Sequence, residues 1–104
     1  MILYNVTVSI DKEIVTAWLK WMKEMHIPEV MECNIFVKAQ LNRVISKTNN
    51  EEYTYAISYK CNTMKDMHIY QSKYAPLLQE KHYKKFGDKA IAFRTLLEVI
   101  DEFY

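Results

Sequence analysis

Hydrophobic and polar positions change period several times along this chain. Over residues 2–10 the even positions Ile2, Tyr4, Val6, Val8 and Ile10 are apolar while Asn5, Thr7 and Ser9 alternate with them, the pattern of a strand with one buried face. After Asp11, which reads as a helix cap, the period becomes helical. At about 100° per residue, residues 12–26 gather Ile14, Val15, Trp18, Leu19, Trp21, Met22 and Met25 in one arc, with Lys20, Lys23 and Glu24 opposite. His26 falls inside the apolar arc, between Val15 and Leu19. Pro28 lacks an N–H and restricts the residue before it, so it is expected to interrupt this helix, leaving at most a short helical turn beyond.

Alternation returns over residues 35–45. A polar, asparagine-rich turn at 47–52 follows, and then a return strand carrying Tyr53, Tyr55, Ile57, Tyr59 and Cys61 on one side, which together predict a hairpin. Thr63 with Asp66 has the spacing of a capping box at the start of a second helix. There Met67, Tyr70, Tyr74, Leu77 and Leu78 recur helically, Pro76 is expected to kink the axis, and Gly87 stands where a left-handed C-terminal residue is wanted. Steps of four from Leu78 reach His82 and then Phe86. In the last strand, 90–100, Ile91, Phe93, Thr95, Leu97 and Val99 share what reads as the core face, and Ala92, Arg94, Leu96 and Glu98 share the other.

Strand, helix, strand, strand, helix, strand, each strand with one apolar face, predicts an α+β protein. The expected architecture is a ferredoxin-like βαββαβ sandwich, a four-stranded antiparallel sheet with two helices on one face. The uncovered face should gather Asn5, Thr7, Ser9, Lys38, Gln40, Asn42, Thr54, Ser58, Lys60, Arg94 and Glu98. That surface is too poor in aromatics to be a base-stacking platform for RNA.

Composition narrows the partners. A chain of 104 residues, half of them hydrophobic, is expected to form one domain over 1–104. Fourteen basic against 13 acidic residues leave a net charge of +1, which provides no field to recruit nucleic acid or an anionic membrane. The start lacks a basic n-region and alternates, so it reads as a strand and not as a signal peptide, and no apolar run is long enough to span a bilayer. A cytoplasmic protein is the expectation. Cys33 and Cys61 lack CxxC spacing and read as two small hydrophobes rather than a redox pair.

Two histidines carry the candidate chemistry. His26 on its apolar arc can serve as a general base or orient a carbonyl if it faces a cavity, the bland alternative being a core histidine satisfied by a backbone carbonyl. His82 invites the same two readings, at an end of its helix made wetter by Lys81, Lys84 and Lys85. Antiparallel helices should place the two rings at opposite ends of the layer, where they share no metal, and His68 reads as a surface residue; no structural metal and no cofactor are expected. Trp18, Trp21, Tyr4, Tyr55 and Tyr59 can line an aromatic cavity for a flat organic ligand, or simply pack the core. Arg94 among apolar neighbours needs a carboxylate, a ligand anion or a partner subunit, with dimer contact favoured and Glu98 or Glu52 as possible counter-charges.

YNVTVSID near the start, WLKWMKEMHIPEVM after it, YAPLLQEKHYKKFGDK in the second helix and IAFRTLLEV at the end give the chain a resemblance over nearly its whole length. It resembles the uncharacterised bacterial domain-of-unknown-function family 4286. The resemblance implies a protomer of the dimeric α/β-barrel superfamily, in which two sheets pair as a homodimer and ligands bind between sheet and helices. That superfamily includes cofactor-free monooxygenases, haem-degrading enzymes, small isomerases and proteins without known reaction, and fold analogy does not choose among them. The implied function is binding of a small aromatic or carbonyl-bearing molecule, with cofactor-independent monooxygenase-like or isomerase-like chemistry as its catalytic form. The alternatives are a non-catalytic interaction or regulatory module with structural histidines and, more weakly, haem binding. Asn5 and His82 are suitably placed for haem turnover, but the tryptophan that haem-degrading relatives carry on the second helix is missing.

Overall fold

The computed structural model describes residues 1–45 and 52–104, so the asparagine-rich turn expected at 47–52 falls almost wholly outside the described residues. Four strands, β1 (Ile2–Asp11), β2 (Lys38–Arg43), β3 (Glu52–Cys61) and β4 (Ala90–Glu98), form one antiparallel sheet in the order β2-β3-β1-β4. A first helix at 15–32 follows β1 and a second at 64–86 follows β3, as the sequence pattern predicts. No helix among the described residues is long and apolar enough to cross a membrane.

Each helix carries its proline without ending there. The first runs as α-helix over Val15–Trp21, widens to a π turn over Met22–His26 and resumes as α-helix over Ile27–Glu32; the second does the same with Met64–Ile69, Tyr70–Tyr74 and Ala75–Phe86. The widened turns close with Ile27 N–H on the Met22 carbonyl and Ala75 N–H on the Tyr70 carbonyl, one residue beyond the α-helical partner. In an unbroken α-helix the proline ring meets the carbonyl four residues back; a wide turn immediately before it relieves that clash, and Pro28 and Pro76 then occupy the first turn of the resumed helix, where a missing N–H costs little. The expected interruption at Pro28 is therefore corrected to a wide turn in a continuous helix.

Two caps test the local reading. Thr63 caps the second helix as expected, its hydroxyl accepting from Asp66 N–H at 3.1 Å. Asp11 does not cap the first: it ends β1, its carbonyl accepts from Ile14 N–H at 3.1 Å, and the helix starts at Val15 with Ile14 in the capping position and no side-chain cap. Gly87 closes the second helix at φ +56°, the left-handed region that disfavours any side chain.

The helix-facing side of the sheet is the core. Val8, Ile10, Ile57 and Cys61 from β1 and β3 are fully buried with Trp18, Val30 and Met67 from the helices. At one end Tyr4, Phe36, Tyr59 and Tyr70 form an aromatic cluster with ring centroids 4.8–6.0 Å apart. Such contacts add to the area they bury.

The register of β4 reverses its expected facing. Val6 pairs with Arg94, Val8 with Ala92 and Ile10 with Ala90, so Ala90, Ala92, Arg94, Leu96 and Glu98 lie on the helix side, while Ile91, Phe93, Thr95 and Leu97 join Leu3, Asn5, Thr7 and Ser9 on the open face. The heavier apolar set looked like the core set. It is the alanines that go inward, towards the second helix, and Ile91 and Phe93 are left 63% exposed. The rest of the open face is polar as expected, with Ser58 Oγ donating to Asn5 Oδ1 at 2.8 Å.

Candidate functional site

The π turn in the first helix and the second helix beside it bring two imidazoles together. His26 closes the widened turn and His82 lies in the last third of the second helix, and their ring centroids are 5.9 Å apart. The expectation that they sit at opposite ends of the layer is thereby corrected. It rested on a helix ending near Pro28; because the helix continues to Glu32, His26 is an interior residue and the antiparallel helices cross at its level. The ion pair between Lys81 Nζ and Glu29 Oε2, 2.8 Å, marks the same crossing.

Neighbouring tryptophans hold each ring. Trp18, completely buried, donates its indole N–H to His82 Nε2 at 3.0 Å. Indole is a donor only, so Nε2 must present a lone pair, which fixes His82 as a neutral imidazole with its proton on Nδ1. Trp21 stacks on His26 with centroids 5.1 Å apart and planes 28° apart, and packs edge-on against Phe86. His26 Nδ1 is buried and has no hydrogen-bond partner among the described residues. A buried polar atom in that state is exceptional.

Both rings are held neutral. Burial above all, then the mutual repulsion that protonating both His26 and His82 would bring, lowers the pKa of His26 to about 4; Glu29 opposes this, and Arg94 and Lys81 add smaller lowering effects. Burial first, and Arg94 second, also lower His82. At neutral pH the pair offers lone pairs and N–H donors, not cationic acids.

A cavity of about 30 Å³ lies between helices and sheet, with His26, His82, Met22 and Leu78 on the helix side and Tyr4, Val8, Ile57 and Tyr59 beneath. It has room for about two water molecules. Tyr70, Gln79 and Arg94 are also in its lining, and the last two line two open lobes of about 260 and 320 Å³ along the seam between the second helix and β4, one past Tyr83 and Ile91, the other past Pro76 and Leu96. Arg94 Nε donates to the Tyr4 hydroxyl at 3.0 Å. Burial raises the Tyr4 pKa, with Arg94 and the Gln79 side chain offsetting part of the rise. Burial likewise raises Tyr59 and Tyr70. No ion pair among the described residues includes Arg94, and the side chain of Glu52 lies outside them.

Of the sequence-predicted residues, His26, His82, Tyr4, Tyr59 and Arg94 converge on this cavity. Trp18, Trp21 and Tyr55 do not line it: Trp18 packs on Tyr55 at 5.5 Å and both tryptophans act on the histidines from behind. His68 lies elsewhere, exposed, as expected. Gln79, Tyr70 and Leu78 were not singled out as site residues. Gln79 had a legible signal, a polar residue at helical spacing with Ala75, His82 and Phe86. Cys33 and Cys61 are free, and no group of three or more histidine, cysteine or acidic side chains able to hold a metal occurs among the described residues.

Fold and site define a ferredoxin-like α+β protein with a cleft between its helical layer and its sheet. Solved structures share that fold: HapK from Hahella chejuensis (TM-score 0.72, 13% identity, covering 100% of this chain and 97% of that one); a dimeric ferredoxin-like protein from an uncultured marine organism (0.69, 16%, 100% and 99%); and an ethyl tert-butyl ether D (EthD) family protein from Bacillus halodurans (0.68, 11%, 96% and 100%). The chain belongs to the family described as Domain of unknown function (DUF4286), whose model matches residues 1–100. No curated protein matches it in sequence.

Proposed function

We propose that this protein is a homodimeric small-molecule-binding protein of the dimeric α/β-barrel type, its ligand entering along the seam between the second helix and β4 and reaching the His26–His82 pair. One observation carries the reading: the buried, unpartnered Nδ1 of His26 belongs to a ring that lines a cavity open to that seam. A ligand or water oxygen is the partner the atom lacks. Where the protein is catalytic, in isomerase-like or monooxygenase-like chemistry without a cofactor, the neutral histidines suit hydrogen bonding to the ligand and proton transfer from its acidic groups. A base of pKa about 4 is fully deprotonated at neutral pH but takes protons only from acidic substrates. Ile91, Phe93 and Leu97 on the open face suit a partner sheet, and dimeric ferredoxin-like relatives support that assembly. A tetrapyrrole finds little support in an inner cavity with room for about two waters.

An NMR screen of small carbonyl- and phenol-bearing compounds tests the binding site. Hits are expected to shift the amides of His26, Gln79 and His82 together. A screen whose hits all map elsewhere, or that finds none, favours the non-catalytic interaction module with structural histidines. The dimer is tested separately by Phe93→Asp, which should turn a dimer into a monomer in light scattering; an unchanged mass would discard the open face as the interface.

A further inference from the structure

We infer that the cleft selects a small organic acid, with its carboxylate held at the Arg94–Tyr4 pair and its apolar body along the seam towards the histidines. The inference rests on the small-molecule reading above and names the ligand class of that site. Its first support is an available charge: Arg94 is exposed where the inner cavity and both lobes meet. Arg94 spends Nε on the Tyr4 hydroxyl, and its terminal nitrogens have no carboxylate partner among the described residues. A guanidinium with two free N–H groups matches the two oxygens of a carboxylate.

The second support is that nearby groups are also donors. Having accepted from Arg94, the Tyr4 hydroxyl keeps its own proton to give. The His82 proton is on Nδ1, because Nε2 is taken by Trp18. Gln79, at the junction of cavity and lobes, adds an amide. Third, among the described residues no acidic side chain lines the inner cavity or the lobe at Pro76, and Asp88 lines only the other lobe. Ala75, Pro76 and Leu96 give the adjoining lobe apolar walls beside these donors. Donors without competing carboxylates, beside apolar walls, recognise an anion attached to a hydrocarbon body.

Benzoate and benzamide have nearly the same shape and differ in charge, so a chemical-shift titration with both separates the claims. Benzoate is expected to shift Arg94 Nε–H and the Gln79 amide and to bind at least tenfold tighter than benzamide. Arg94→Gln should bring benzoate down to the affinity of benzamide and leave benzamide unchanged. Should that variant not fold, Arg94→Lys, which keeps the charge but not the planar fork, should reduce the preference without abolishing it. Equal binding of the two probes, or a preference that survives Arg94→Gln, overturns the acid inference while leaving the small-molecule site in place. Neither probe moving Gln79, His82 or Arg94 removes both.

Discussion

Acid should destabilise this protein through one residue more than through any other histidine. His26 has an ordinary pKa of 6.5 and is lowered to about 4 in the fold, chiefly by burial. The difference of about 2.5 units, at about 1.36 kcal/mol per unit, corresponds to about 3 kcal/mol. The folded protein holds His26 neutral, whereas the unfolded chain takes up the proton once the pH falls below about 6.5. The contribution is therefore complete above about pH 6.5, shrinks progressively below it, and is gone at about pH 4. Carboxylates add their own acid sensitivity, so the informative quantity is the difference between wild type and His26→Phe, which keeps a ring against Trp21 and cannot titrate. Urea unfolding followed by tryptophan fluorescence, at one fixed protein concentration because a dimer makes stability concentration-dependent, gives both curves. The gap between them should move by about 3 kcal/mol in favour of the variant between about pH 7.5 and pH 4. Parallel curves would refute the reasoning, since they would mean that His26 gains a proton without cost in the fold.

Other expectations follow from the same geometry. Trp18→Phe removes the donor to His82 Nε2, and imidazole nitrogen shifts should change from a single Nδ1–H tautomer to a mixture, with a stability loss of about 1–3 kcal/mol; a wild-type spectrum lacking the Nδ1–H signature would contradict the assignment. Gly87→Ala meets no neighbouring atom within 4 Å, so its cost should be the backbone strain of a side chain at φ +56° alone, about 1–2 kcal/mol by chemical denaturation. A null effect would contradict that conformation.

The strand and helix periods made the βαββαβ order and most of the core readable, because alternation and helical spacing are local properties of the chain. The open face was legible across β1, β2 and β3 for the same reason. β4 departs from the sequence pattern because which of its faces goes inward is set by its register on β1, a long-range pairing that puts Ala90 and Ala92 opposite Ile10 and Val8 and leaves Phe93 outside. The histidines were each recognised as anomalies on apolar stripes, but their meeting was hidden by Pro28. A proline signals a break, and only the compensating π turn, a hydrogen-bond shift of one residue, lets the helix carry His26 to the crossing with His82. Arg94 reads from the sequence as a charge in need of a partner, with dimer contact favoured. Its facing, and so its place at the cleft and not on the open sheet, required the strand register.

The most direct test of the account is a high-resolution crystal structure of the protein purified without added ligand. It should show ordered water or ligand density at hydrogen-bonding distance, about 2.7–3.2 Å, from His26 Nδ1, continuous with the seam at Gln79 and Arg94. A collapsed, dry site with His26 Nδ1 bonded to a backbone carbonyl would contradict it.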